Sequence, residues 1–277
     1  MEIAKNEFVK DLINGAKRVH SQTIEDGILE GIFNNIGTTN KFFIEIGAWD
    51  GIYLSNTANL RINKNWNGLL LEGNKEKADK YDYVTHAMVT AENVNELFEK
   101  NNVPKEYDLL SIDIDGNDFW VWKAIDDSRF RARVVIIEYN ASFHDSNKSM
   151  TIVYDPNYRR SVYYFGATLR ALHKLGKEKG YSLIFRVSDQ NLIFVDSKLL
   201  HDKDKDIDVI KFLNKDMKAD KGILGFPDGI ENKYNYDEQL LKNCFPFEQK
   251  IWHWNYFADT NMVIDKEQEL CRRWVQI

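Results

Sequence analysis

The stretch Asp108 to Trp122, DLLSIDIDGNDFWVW, decides how the rest of the chain is read. The residues running into Asp113 form an apolar, β-favouring run too short for a helix, which predicts a buried parallel strand. The carboxylates come where that strand ends. In an open α/β sheet, ligands bind outside the carboxyl ends of the strands, so Asp113 and Asp115 fall where chemistry is placed. Their two-residue spacing puts both side chains on one face if the backbone stays extended through Ile114. Gly116 then allows a tight turn, and Asn117 or Asp118 can cap a helix through Phe119, Val121 and Trp122. The plain alternative is that both acids only cap and turn the chain.

Outward from this stretch, short apolar runs alternate with helical segments from Lys41 onward, the pattern of βαβ units around a parallel sheet. The runs are Phe42 to Ile46, Leu69 to Leu71, Val84 to Val89, Leu109 to Ile112 and Val134 to Ile137. Two more, Tyr181 to Arg186 and Asn191 to Val195, follow an amphipathic helix over 166–179, and the short SDQ link makes them an antiparallel hairpin. The expectation is an α/β fold: a seven-stranded Rossmann-like sheet whose last strand runs against the rest.

On the amino-terminal side, residues 7–20 and 23–36 read as two amphipathic helices, with Thr23 as the cap of the second and Asp26 completing a near capping box. Beyond Asp196, charged clusters such as HDKDKDID alternate with aromatic groups, and no strand period persists. Three regions result: N-terminal helices over 1–40, a Rossmann-like domain over 41–196, and a C-terminal appendage over 197–277 for acceptor recognition or subunit contact, as in a homo-oligomer.

The totals bound the class. The 277 residues, 43% hydrophobic and 13% aromatic, suit a globular chain with a sizeable core. No run approaches the length of a membrane span, and the charged start is unlike a secretory signal, so the cytoplasm is the default location. Cys244 and Cys271 lack CxxC spacing, so neither a disulfide framework nor a structural zinc site is expected. A formal charge of −6 with thinly spread Lys and Arg leaves no footprint for nucleic acid.

The first strand and turn read FFIEIGAWDGIYLSNT, in which Glu45, Gly47, Ala48, Trp49 and Gly51 form an ExGxxxG pattern. Glycines there let the backbone turn sharply against a ligand. Trp49 and Ile52 stand where a dinucleotide GxGxxG would need glycines, which disfavours a pyrophosphate cradle. The second strand ends in Glu72, a place from which a carboxylate can accept both hydroxyls of a ribose. Val89 to Asn93, after the third strand, would flank an adenine by backbone and shape. The fifth strand ends in Glu138 and Asn140, with His144 in the loop beyond. If strands four and five are neighbours, their ends lie about 5 Å apart and these groups converge. Two roles are open: a magnesium or manganese ion held by Asp113, Glu138 and Asn140, or general base catalysis by one of the acids, Asp115 included, or by His144. Arg159 and Arg160 could meet the phosphates of an activated substrate, with Tyr163 and Tyr164 lining the same pocket.

The motifs TNKFFIEIGAWDG, LLLEGNK, DLLSIDIDGNDFWVWKAI and RVVIIEYNASF together resemble FkbM-like bacterial S-adenosylmethionine-dependent methyltransferases, which serve capsule and other surface-polysaccharide biosynthesis. The resemblance runs from about Thr23 to Val195. It implies S-adenosylmethionine as cofactor, a methionine and ribose turn around Gly47, Glu72 as the ribose acid, and Asp113 beside the methyl group. Many relatives carry an IDxEGxE motif where this chain has IDIDGND. The implied activity is an O-methyltransferase acting on a hydroxyl of a sugar, nucleotide-activated or lipid-linked, or on a phosphoramidate modification. The alternatives are a NAD-dependent sugar oxidoreductase or epimerase, for which GxGxxG is missing, and a noncatalytic scaffold.

Overall fold

Apolar side chains on alternate residues of each strand give the sheet two buried faces, and the helices exist to cover them. A computed structural model describes residues 7–140, 149–158, 165–187, 190–201 and 274–277. In chain order these form α1 (Glu7–Asn14), α2 (Glu25–Ile36), β1 (Phe42–Ile46), α3 (Ala58–Lys64), β2 (Asn67–Glu72), α4 (Lys75–Ala78), β3 (Val84–His86) and α5 (Val94–Lys100). There follow β4 (Glu106–Ile112), α6 (Asp118–Ala124), β5 (Arg131–Glu138), β6 (Met150–Ile152), α7 (Leu169–Glu178), β7 (Tyr181–Val187), β8 (Asn191–Asp196) and β9 (Trp274–Gln276).

Seven strands make one sheet in the order β3-β2-β1-β4-β5-β8-β7. Strands β1 to β5 pair in parallel, while β8 runs antiparallel to both β5 and β7. This is the seven-stranded Rossmann-like sheet with a reversed last strand expected from the apolar runs. Ile44 and Ile46 of β1 pack with Phe98, Phe119, Trp122 and Leu172 from α5, α6 and α7. Phe43, next to Ile44, packs on the other face with Leu12, Ile32 and Leu60 from α1, α2 and α3. The strand order reverses between β1 and β4, and a crevice at the carboxyl ends of those two strands is where such sheets take ligands.

Several boundaries differ from the sequence reading. The first helix ends at Asn14 rather than continuing to residue 20, because the N–H groups of Val19, His20 and Ser21 donate to the Asp26 carboxylate instead of to helical carbonyls. That same bond set replaces the expected Thr23 box: Ser21 and Asp26 bond reciprocally, and Thr23 donates to Glu25. β3 stops at His86, so Val89 lies beyond the strand. A strand does occur after Asp196: β9 pairs antiparallel with β6 as a separate two-stranded sheet.

Candidate functional site

At the end of β1 the chain turns through Gly47, at φ +87, a conformation that suits glycine. A Cβ there would fall on the Asp113 carbonyl, so the turn after β1 lies directly against the end of β4. The amide groups of Gly47, Ala48, Trp49, Gly51, Ile52 and Tyr53 are committed to the chain itself. Gly47 and Ala48 both donate to the Leu71 carbonyl (2.9 and 3.0 Å) and Gly51 donates to Ala48 (2.7 Å). Trp49 donates to the Glu72 carboxylate at 2.8 Å, and Ile52 and Tyr53 donate to Asp50 (2.9 and 2.7 Å). Trp49 itself sits at φ +51, held in a left-handed conformation that costs an ordinary residue about 1–2 kcal/mol.

Glu72 ends β2 with one oxygen on the Trp49 N–H and the other on the Asn74 N–H at 2.6 Å. A carboxylate oxygen has two lone-pair directions, so each retains a second one for a ligand hydroxyl. Around it stand exposed apolar groups. The Trp49 ring is 45% exposed with the Lys77 ammonium 4.2 Å from its centroid, and Met88 is 51% exposed beside Gly73. Val89, by contrast, is buried in the core with Ile46 and Leu71, and Met88, the residue before it, borders solvent.

Glu45 occupies a different place from the one its motif suggests. It lies beneath the turn, where Ser55 and Thr57 hydroxyls donate to one oxygen, both at 2.7 Å, and the Asn56 N–H donates to the other at 2.9 Å. Burial raises its carboxyl above the ordinary value, and these three bonds oppose the rise. Glu45 therefore braces the loop after the turn rather than facing the crevice.

β4 ends at Ile112, and the Asp113 N–H donates back to Ile46 across the crevice wall at 3.0 Å. The backbone does not stay extended. Asp115 is at φ +58, and the tight loop is held by Asp118, whose carboxylate takes the N–H groups of Ile114 and Gly116, both at 2.9 Å. Asp118 thus ties the loop from inside instead of capping α6 forward, and Asn117 donates to the Asp155 carbonyl at 2.7 Å. Burial pushes the Asp118 carboxyl up to about 7, with the Asp115 charge adding to the rise and the two N–H bonds opposing it.

The register Ile112↔Ile137 between β4 and β5 makes Asp113 and Glu138 the next neighbours along the rim. Among the described residues, carboxylate oxygens of Asp113, Asp115 and Glu138 all lie within 4.8 Å of one another. Two of these, Asp113 and Glu138, belong to the expected cation set, and Asp115 joins them. Asp115 reaches the cluster through its left-handed turn, and Asn140, the other expected ligand, is buried with its amide nitrogen donating to the Phe165 carbonyl at 3.0 Å. His144, Arg159, Arg160, Tyr163 and Tyr164 lie outside the described residues, as do residues 202–273 of the appendage.

Other contributors carry no motif. Tyr154 accepts the Ala91 N–H (3.2 Å) and donates to Glu92, and Trp120 donates to the Ile152 carbonyl (2.9 Å), so β6 and the segment after it are tied to the loop before α5 and to α6. A three-residue strand shows no sequence period, which is why only the aromatic residues themselves could have flagged it.

No family model matches this sequence, and no curated protein matches it. Solved structures do resemble the fold. A S-adenosylmethionine-dependent methyltransferase from Clostridium acetobutylicum is 11% identical with a TM-score of 0.41, over 69% of this chain and 98% of that one. The O-methyltransferase from Bacillus cereus, solved in complex with SAH, is 15% identical with a TM-score of 0.36, over 69% and 93%. For the CurJ carbon methyltransferase the values are 10% and 0.39, over 71% of this chain and 61% of that one. At these levels the strand order, not the likeness, carries the fold.

Proposed function

We propose that this protein is a S-adenosylmethionine-dependent O-methyltransferase of the FkbM-like kind, passing a methyl group to a hydroxyl of a sugar, nucleotide-activated, in capsule or other surface-polysaccharide biosynthesis. The observation that carries the reading is the fate of the amides after β1. Those of Gly47, Ala48, Trp49, Gly51, Ile52 and Tyr53 are engaged within the chain, leaving no row of donors for a pyrophosphate. A nicotinamide dinucleotide is poorly served by such a turn. A nucleoside without phosphates fits it, with Glu72 able to accept two ribose hydroxyls and the exposed Trp49 and Met88 faces available to a purine. Glu45 enters at one remove, by holding the loop.

The cofactor, when bound, supplies a methyl carbon on a sulfonium, with a neutral thioether as leaving group. The chain then has to align the acceptor oxygen and take its proton. Asp113 borders the Gly47 turn on one side and Asp115 and Glu138 on the other, so it joins the nucleoside half of the rim to the acidic half. Three carboxylates this close repel unless they share a proton or a cation. As bases they receive the hydroxyl proton. If magnesium or manganese is held there, Asp113, Asp115 and Glu138 are its ligands, and the hydroxyl is acidified instead.

The test is calorimetry with S-adenosylhomocysteine and NAD, followed by labelled methyl transfer to a panel of nucleotide sugars with and without EDTA. The reading expects binding of the first ligand only, and label on a sugar oxygen. Binding of NAD in its place would reject it, and loss of transfer in EDTA would select the cation.

A further inference from the structure

β6 is bonded along both edges. On one side the Met150 N–H donates to the Thr168 hydroxyl (3.0 Å), Thr168 N–H donates to the Met150 carbonyl (2.8 Å), and Ile152 N–H donates to Gly166 (3.1 Å). On the other side lies β9, in the register Met150↔Gln276, Thr151↔Val275 and Ile152↔Trp274, with the Ile277 N–H on the Ser149 carbonyl at 2.8 Å. Hydrogen-bonded pairs alternate along an antiparallel ladder, so Ser149↔Ile277 being bonded makes Thr151↔Val275 the next bonded pair and leaves the Gln276 N–H pointing away from β6.

What β6 holds is the loop that carries Asp115. Ile152 accepts from the Trp120 indole, and Asp155 accepts from Asn117. The Tyr158 ring lies where a Cβ of Gly116 would be, and Gly166 N–H donates to the Gly116 carbonyl at 3.1 Å. The same Gly166 segment holds Asn140, whose N–H donates to Ala167 (2.9 Å) and whose amide donates to Phe165. The ends of β4 and β5 are thus buckled together by β6 and its partners, whereas Glu72 and the Gly47 turn share none of these bonds.

We propose that the C-terminal strand β9 is a positioning element for the acceptor side of the site: by closing the free edge of β6 it sets the Ile114–Asp118 loop, and with it Asp113 and Asp115. This rests on the reading that the acceptor hydroxyl is handled by those acids. Its role is to position the loop, so its effect is on turnover rather than on cofactor binding.

The test is Val275→Pro in the full chain, which deletes the ladder donor at the bonded position, beside Gln276→Pro, which places the same ring where no ladder bond exists. Hydrogen exchange of peptides covering 112–118 is expected to quicken about tenfold or more in Val275→Pro, while peptides covering 42–53 and 67–74 keep their rates. With a sugar acceptor from the panel above, kcat falls about tenfold and the affinity for S-adenosylhomocysteine stays within about twofold. Gln276→Pro behaves as wild type. Ile277→Pro, which deletes the other donor of this pairing, the Ile277 N–H on the Ser149 carbonyl, reproduces the direction with a smaller size and decides the matter if Val275→Pro does not fold. Unchanged exchange at 112–118, equal effects of the two prolines, or loss of cofactor binding together with turnover would each overturn the proposal. Failure of the wild-type chain to bind S-adenosylhomocysteine would instead strike the functional reading, and the exchange rates would still decide whether β9 sets the loop.

Discussion

At the ends of β1 and β2, the carboxylates of Glu45 and Glu72 stand apart from other acids and accept bonds from N–H and O–H groups of the chain, whereas at the ends of β4 and β5 a carboxylate oxygen each of Asp113, Asp115 and Glu138 gathers within 4.8 Å. The residue type is shared, and the difference lies in whether like charges are gathered. An acid surrounded by donors is a brace, and it fixes a surface against which a neutral ligand can be laid. Acids facing acids repel, and that repulsion is relieved by a proton or a cation, which is what a proton-removing step requires. Gly47, pressed on the Asp113 carbonyl, is the seam between the two halves.

Variants can break this division. The largest expected effect is on folding: Glu45→Ala strands the Ser55 and Thr57 hydroxyls and the Asn56 N–H under the turn, a loss of about 3 kcal/mol or more in urea unfolding. A loss below about 1 kcal/mol would show that the loop stands without its brace. Next is Asp113→Asn, for which turnover drops at least about a hundredfold, near 2.7 kcal/mol of barrier, while cofactor affinity is kept. Near wild-type turnover would take Asp113 out of the mechanism. Glu72→Ala should do the reverse, weakening S-adenosylhomocysteine binding about 10- to 100-fold by calorimetry, the worth of bonds to a charged acceptor. Unchanged affinity would discard the ribose assignment.

The smallest effect, read between pH 6 and 8, is a pH slope. Asp118 stands at about 7 in the folded chain against an ordinary 3.8, so the folded protein holds a proton that the unfolded chain releases. Its contribution makes stability fall as pH rises from about 4 to 7 and level off above that, about 1 kcal/mol of it between pH 6 and 8. Asp118→Asn should remove this part of the slope in unfolding titrations, whatever constant loss it adds by replacing one acceptor of the Ile114 and Gly116 amides. An unaltered slope would place the titration elsewhere.

Much of the sheet is legible in the sequence because strands buried on both faces leave continuous apolar runs, as in β1, whose limits Phe42 and Ile46 are read correctly. β4 and β5 are read too short, since Glu106 and Arg131 extend them at polar ends that hydrophobicity does not register. The first helix is read too long because its apolar pattern continues past the point where Asp26 captures the backbone, a bond set that depends on the tertiary approach of the two segments. β6 and β9 are invisible for another reason: three residues define no period, and their pairing joins segments far apart in the chain.

The site divides along similar lines. Asp113 and Glu138 can be placed from strand ends and a neighbour rule alone. That Asp115 joins them through a left-handed turn, that Asn140 is engaged with Phe165, and that Glu45 points beneath its loop are all matters of backbone direction at single residues. A motif specifies that a carboxylate is present. It does not say which donors reach it first.

The account stands or falls on the division of the rim into a nucleoside half and an acceptor half, and a crystal structure of the protein with S-adenosylhomocysteine bound measures it directly. The ribose hydroxyls should lie within hydrogen-bond reach of the Glu72 oxygens, with the sulfur beside Asp113 and the adenine against Trp49 or Met88. A nucleoside bound away from Glu72, or a sulfur that opens onto a surface remote from Asp113, would contradict it.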